Sequence, residues 1–225
     1  MGYTHYWQRK KVLDPKTFAK FAQDAAAILE YSQNILGIAL ADGLGKPQTQ
    51  PEANTKRIWF NGTMQIPGQW TTTENIAIPW PSPNAGLKPL TDVKAPAIDG
   101  VWCGGHMISR RVAPIRKDGF GDGKYETFHI DQHYKPYGEW DVPDAEGWQG
   151  GFCKTAYRPY DLPVTAVLIA FKKHFGPHVR VSSDGELKDW AEGARLCHEV
   201  LRYAGEIDFE GHGNLIYTER KEVTA

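Results

Sequence analysis

GFCKTAYRPYDLPVTAVLIAFKKHF, residues 151–175, joins a polar segment to a long apolar run. From Leu162 to Phe175 it is mainly apolar and long enough for a buried helix, with Pro163 confined to the first turn, where it is tolerated. Asp161 stands just ahead of that run, in the place of a capping acceptor. Residues 151–161 then admit two readings. As the entry to a helix, they need only Asp161 as the cap. As a ligand-holding loop, they bring Lys154, Thr155 and Arg158 together with free backbone N–H groups at a helix N-terminus, a place that favours phosphate or carboxylate. Lysine supplies a point charge there and arginine a fork matched to phosphate oxygens. The spacing is not that of a named phosphate motif. Cys153 reads as a small buried hydrophobe, since no His/Asn pattern marks it as a nucleophile.

Working outward, a strand over His178–Ser182 and a helix over Glu186–Tyr203 follow. Ser183 and Glu186 have capping-box spacing, and Gly205 serves as the stop. Upstream, residues 2–8 alternate Tyr3, His5 and Trp7 against Thr4 and Tyr6, a period-two pattern that predicts a strand. Asp14 and Pro15 open a helix that sets Phe18, Phe21, Ala25, Ile28 and Leu29 on one stripe and ends near Ser32. Ile35–Ala41 and Arg57–Asn61 read as strands, punctuated by the turn signals DGLGKP and NGT. Residues 62–150 are rich in Pro, Gly and Trp, which forbids long helices yet exceeds the aromatic content of a linker. They read as an ordered, loop-rich excursion with short strands.

The predicted fold is therefore α+β, in one domain spanning 1–225: a mainly antiparallel or mixed sheet covered by about three helices. A doubly wound parallel sheet would need regular alternation throughout. GxGxxG and GxxxxGK[ST] are both missing, so no cofactor is expected.

Composition narrows the function classes. The chain has 225 residues, 41% hydrophobic and 24% charged, with a formal net charge of −1. No whole-chain field attracts nucleic acid, so unspecific binding is disfavoured and any contact must be local. No run approaches the roughly 18 apolar residues of a membrane span. GYTHYW lacks the basic and apolar character of a secretory signal, and three cysteines without CxxC spacing suit reduced thiols, which predicts a cytoplasmic protein. The composition leaves homo-oligomerisation open.

GYTHYW (2–7), FCKTAYRPYD (152–161) followed by VTAVL (164–168), then KHFG (173–176) and VSSDG (181–185) before a tryptophan-containing helix, resemble in order and spacing a family of uncharacterised phage and prophage proteins. The likeness covers the first 40 residues and about 150–204. It implies a phage-encoded accessory protein in a bacterial cytoplasm and supplies no activity.

Three function classes follow. The first is a binder of a small anionic, nucleotide-like ligand, which in a phage setting includes a host defence signal. Its candidate residues are Lys154, Thr155 and Arg158, the helix entrance at Ser182 and Ser183, and Tyr3, His5 and Trp7, where an imidazole flanked by aromatics suits a base or sugar. The second is a metal-dependent phosphoester hydrolase. A strand over 126–134 puts His129, Asp131 and His133 on one face, with Phe128, Ile130 and Gln132 on the other. Alternate side chains on a strand stand roughly 7 Å apart, so the three converge poorly, and no bound metal is expected. His106, after the glycines of CGG, is a fourth candidate ligand. The third class is a host-protein interaction module with exposed aromatics. A local basic excess over 107–125, with Arg110, Arg111, Arg116, Lys117 and Lys124 against Asp118 and Asp122, reads as a hairpin tip able to touch phosphates.

Overall fold

The computed structural model describes residues 3–64, 100–103, 106–109, 123–136, 142–156, 158–211 and 213–219. The predicted α+β class is what is found. Three helices, α1 (Pro15–Asn34), α2 (Asp161–Phe175) and α3 (Leu187–Leu201), accompany antiparallel sheets. The largest sheet has the order β10-β11-β9-β1-β8, built from β1 (Thr4–Lys10), β8 (Trp148–Lys154), β9 (Val179–Ser183), β10 (Glu206–Glu210) and β11 (Asn214–Thr218). A smaller sheet runs β2 (Leu40–Ala41), β4 (Arg57–Gly62), β3 (Glu52–Ala53), with β7 (Phe128–Asp131) also on β4. Within residues 62–150, β5 (Gly100–Cys103) and β6 (His106–Ser109) form a two-stranded antiparallel sheet.

β1 lies between β8 and β9, so the three quoted motifs become neighbouring strands: His5 is level with Cys153 on one side and Ser183 on the other. Alternation assigns the faces. Tyr3, His5, Trp7 and Arg9 are buried with Val179, Val181 and Cys153 on the side that the helices cover. α2 is apolar almost all round and fills the centre, touching α1, α3 and the sheet. α1 buries the expected Phe18, Phe21, Ala25, Ile28 and Leu29. The smaller sheet joins the same core, Trp7 meeting Phe128 at 5.1 Å and Phe128 meeting Phe60 at 5.0 Å between ring centroids.

Several boundaries differ from the sequence reading. Over Ile35–Ala41 only Leu40–Ala41 is strand. α1 runs on to Asn34, Gly37 turns the chain at φ +69°, and Leu36 and Ile38 reach the core without a ladder partner. The capping box of α3 is Glu186 with Asp189, because Ser183 still belongs to β9. The helix stops at Arg202, left-handed at φ 56°, rather than at Gly205, which lies against the Tyr217 ring. Residues 148–154, read partly as excursion and partly as loop, are a seven-residue strand. The β10–β11 hairpin is an addition to the expected elements. Residues 110–122, with Arg110, Arg111, Arg116, Lys117, Asp118 and Asp122, and the side chain of His106 lie outside the described residues.

Candidate functional site

Pairing in the large sheet sorts the predicted ligand residues onto two faces, because residues directly opposite in an antiparallel ladder point the same way.

The covered face holds a sealed polar cluster. His5 Nε2 lies 2.7 Å from Asp161 Oδ1, and the Thr155 hydroxyl donates to the same oxygen at 2.6 Å. His5 is 0% exposed and Asp161 1%. The rings of Tyr3 and Trp190 stand edge-on to His5 at 4.7 and 5.2 Å. Asp161 is thus no exposed cap. It is the first residue of α2, its N-cap position is taken by Tyr160, and its carboxylate sits inside the core at the positive end of the helix. The Asp161 carboxyl already occupies that end and takes up the Thr155 hydroxyl, so Thr155 faces a core side chain rather than solvent. Cys153 is also buried; desolvation pushes its thiol well above the ordinary value, and Sγ is 3.9 Å from the Tyr160 hydroxyl. Trp7 is enclosed too, its indole filling the space where Gly151 has no side chain. Ser183 is engaged in the turn, accepting from Gly185 N at 3.0 Å.

The other face of the sheet carries the chemistry that solvent can reach. Tyr6 is level with Phe152 on β8 and Ser182 on β9. Phe152 is 59% and Tyr6 40% exposed, so two aromatic rings stand side by side in water. One row along is Lys154, opposite Thr4. The Lys154 ammonium and the Arg158 guanidinium each lie 5.7 Å from the centre of the Tyr125 ring, so the two predicted cations do converge, over an aromatic rather than at a helix end. Two carboxylates are close by: Glu126 accepts the Lys154 backbone N–H at 2.7 Å, and Asp184 accepts that of Thr4 at 3.1 Å. In the opposite direction from Tyr6 come Gln8 beside Gly150, then Lys10 beside Trp148. Lys10 Nζ and Arg180 Cζ cover the Trp148 ring at 4.2 and 4.1 Å. Arg180 pairs with the exposed Glu146 at 3.3 Å.

The metal candidates separate. His129 and Asp131 meet at 3.0 Å, whereas His133, past the end of β7, is exposed and level with Val12. Among the described residues no group of three His, Cys, Asp or Glu side chains is placed to hold a metal ion. The cleft beside this pair, lined by Trp7, Arg9, Tyr134 and Gly150, encloses about 20 Å³, room for about one water. Arg9 is satisfied by the carbonyls of Lys10, Lys11, Asp131 and Gln132, and burial lowers its pKa to about 10. A wider groove of about 310 Å³ between α1 and β3 is lined by Leu29, Glu30, Gln33 and Gln50 among others, with no cation to receive an anion.

Sequence reasoning missed Tyr6, Phe152, Tyr125, Lys10 and Arg180. The signal was present in GYTHYW itself: the alternation that sends His5 and Trp7 inward sends Tyr6 outward. Comparison with protein-family profiles, curated proteins and solved structures finds no match to this chain. No helix among the described residues is long and apolar enough to cross a membrane.

Proposed function

We propose that the chain binds an anionic, nucleotide-like ligand on the open face of its large sheet. The observation that carries this reading is the placement of Lys154 and Arg158 over Tyr125, one row from the exposed pair Phe152 and Tyr6. A base has a flat apolar face that stacks on such rings, and its phosphate needs cations one row away. Ser182, beside Tyr6, adds a hydroxyl within the same row. The buried members of the predicted set, Tyr3, His5, Trp7 and Thr155, act in this account as the support that fixes β1 and β8. The resemblance adds a setting: a phage-type accessory protein in a bacterial cytoplasm, sequestering a host signalling nucleotide. That setting rests on the resemblance alone.

Calorimetry with a panel of mono-, di- and cyclic nucleotides tests the proposal. Lys154→Ala or Arg158→Ala is expected to weaken binding by about 1.5 to 3 kcal/mol, the range for a hydrogen bond to a charged group. Phe152→Ala is expected to cost about 1 to 3 kcal/mol through lost stacking. The melting temperature should move little, since Phe152 is largely exposed and Lys154 and Arg158 are only half-buried. Silence across the whole panel would overturn the proposal and promote the alternative, a host-protein surface built on the same aromatics.

A further inference from the structure

The site just proposed uses one end of the open face and leaves the other unexplained. From Lys154 to Trp148 the seven-residue β8 strand takes six steps, about 20 Å at the rise of an extended chain. A second cation pair, Lys10 and Arg180, stands at the far end over Trp148. Between the two pairs lie the rings of Phe152 and Tyr6, then the row of Gly150, Gln8 and Arg180, where Gly150 is exposed and an added Cβ would meet only the Trp7 carbonyl, at 3.9 Å. A single nucleotide engages one cation pair and cannot span to the other. A chain of several nucleotides can.

We infer that the open face is a track for single-stranded nucleic acid, several nucleotides long, running along β8 and β1 from Lys154 and Arg158 to Lys10 and Arg180. This rests on the nucleotide-binding reading and extends it. Unstacked bases have the faces that Phe152 and Tyr6 can receive, whereas a duplex hides them. The path is bounded: β10 presents Glu206, Asp208 and Glu210 at the opposite edge of the sheet, a row of carboxylates that repels phosphate. Such a local track is compatible with a net charge of −1, because attraction is set by the charges within a Debye length of the strand. Glu146 beside Arg180 works against binding, and its exposed position makes its removal informative.

The test is a length series of thymidylate and uridylate oligomers of one, two, four and eight nucleotides, measured by fluorescence anisotropy at two salt concentrations. Affinity is expected to climb from one to four nucleotides and to fall more steeply with salt for the longer oligomers. Binding of either sugar supports the track, and the stronger identifies its source. Lys10→Gln with Arg180→Gln should weaken the octamer at least about tenfold, two phosphate contacts being lost, and leave the mononucleotide unchanged. Glu146→Gln should tighten the octamer. Mononucleotide binding without any gain from length would overturn the track and leave the smaller site standing. Absence of both would overturn the two together. Equal affinity for a duplex, or equal loss of monomer and octamer binding in the double variant, also contradicts the track. Thermal unfolding of each variant confirms that the sheet is intact.

Discussion

His5 and Asp161 are 156 positions apart in the chain and 2.7 Å apart in the fold, both sealed from solvent. The contact fastens the central strand to the first turn of the central helix. Thr155 binds the same carboxylate oxygen, so the strand, the loop after β8 and the helix are fixed at one point. Asp161→Ala leaves a buried imidazole and hydroxyl without their acceptor. The expected loss is about 2 to 6 kcal/mol, each unsatisfied buried group costing about 1 to 3, against about 0.5 to 2 kcal/mol for a mere helix cap. Denaturant unfolding of Asp161→Ala, His5→Ala and the double variant measures the coupling. A loss below about 1 kcal/mol with additive singles would return Asp161 to the capping role.

Gly193 lies in the middle of α3, where alanine ordinarily adds about 0.5 to 1 kcal/mol of stability. Here a Cβ would fall 2.5 Å from Thr165 Oγ1 and 3.1 Å from the backbone nitrogen of Ala166, because α3 and α2 touch at that point. Gly193→Ala is therefore expected to destabilise by about 1 to 3 kcal/mol, the usual cost of overpacking. A rise in melting temperature would show that the two helices can separate freely.

Asp24 accepts from His174 at 2.7 Å and from the Tyr203 hydroxyl, tying α1 to the ends of α2 and α3. Burial pushes its carboxyl up, but the two hydrogen bonds outweigh it and hold the pKa below the ordinary 3.8. The folded state thus binds this proton less tightly than the unfolded chain does. Its stabilising contribution is complete above about pH 4 and is lost as pH falls through the depressed folded value. Stability measured between pH 6 and 2 should fall less steeply for Asp24→Asn than for the wild type. Superimposable acid limbs would contradict this.

Cys153 and Cys197 are free and buried, and desolvation raises both thiols far above the ordinary value. Alkylation of the native protein at pH 8 should leave both unmodified over a time in which the unfolded chain reacts fully, as read by peptide mass. Rapid native labelling of Cys153 would make it a reactive thiol.

Much of the architecture was legible because strong local signals agreed with the tertiary outcome. Asp14–Pro15 starts α1, the apolar run from Leu162 is α2, and the alternation read from Thr4 onward lies in β1. The misreadings share a cause. β8 carries two glycines and only a short alternation, so its extended form is imposed by β1 rather than by propensity. Ile35–Ile38 alternates like a strand, but Gly37 bends the chain away from a partner. The candidate site was half legible. The cations Lys154 and Arg158 stood out by charge, while Tyr6 and Phe152 were hidden by neighbours, since one parity of an alternating strand reads as the important one until its partner strands are known. Asp161 misled for the same reason: a carboxylate before a helix is a cap unless a distant histidine reaches it.

Amide shift mapping by NMR during a nucleotide titration shows whether the open sheet face receives the ligand. Saturable changes are predicted at Tyr6, Phe152, Lys154, Arg158 and Ser182, with His5, Asp161 and the strand Glu206–Glu210 unmoved. Shifts confined to the His5–Asp161 cluster or to Glu206–Glu210, or none at saturating nucleotide, would contradict it.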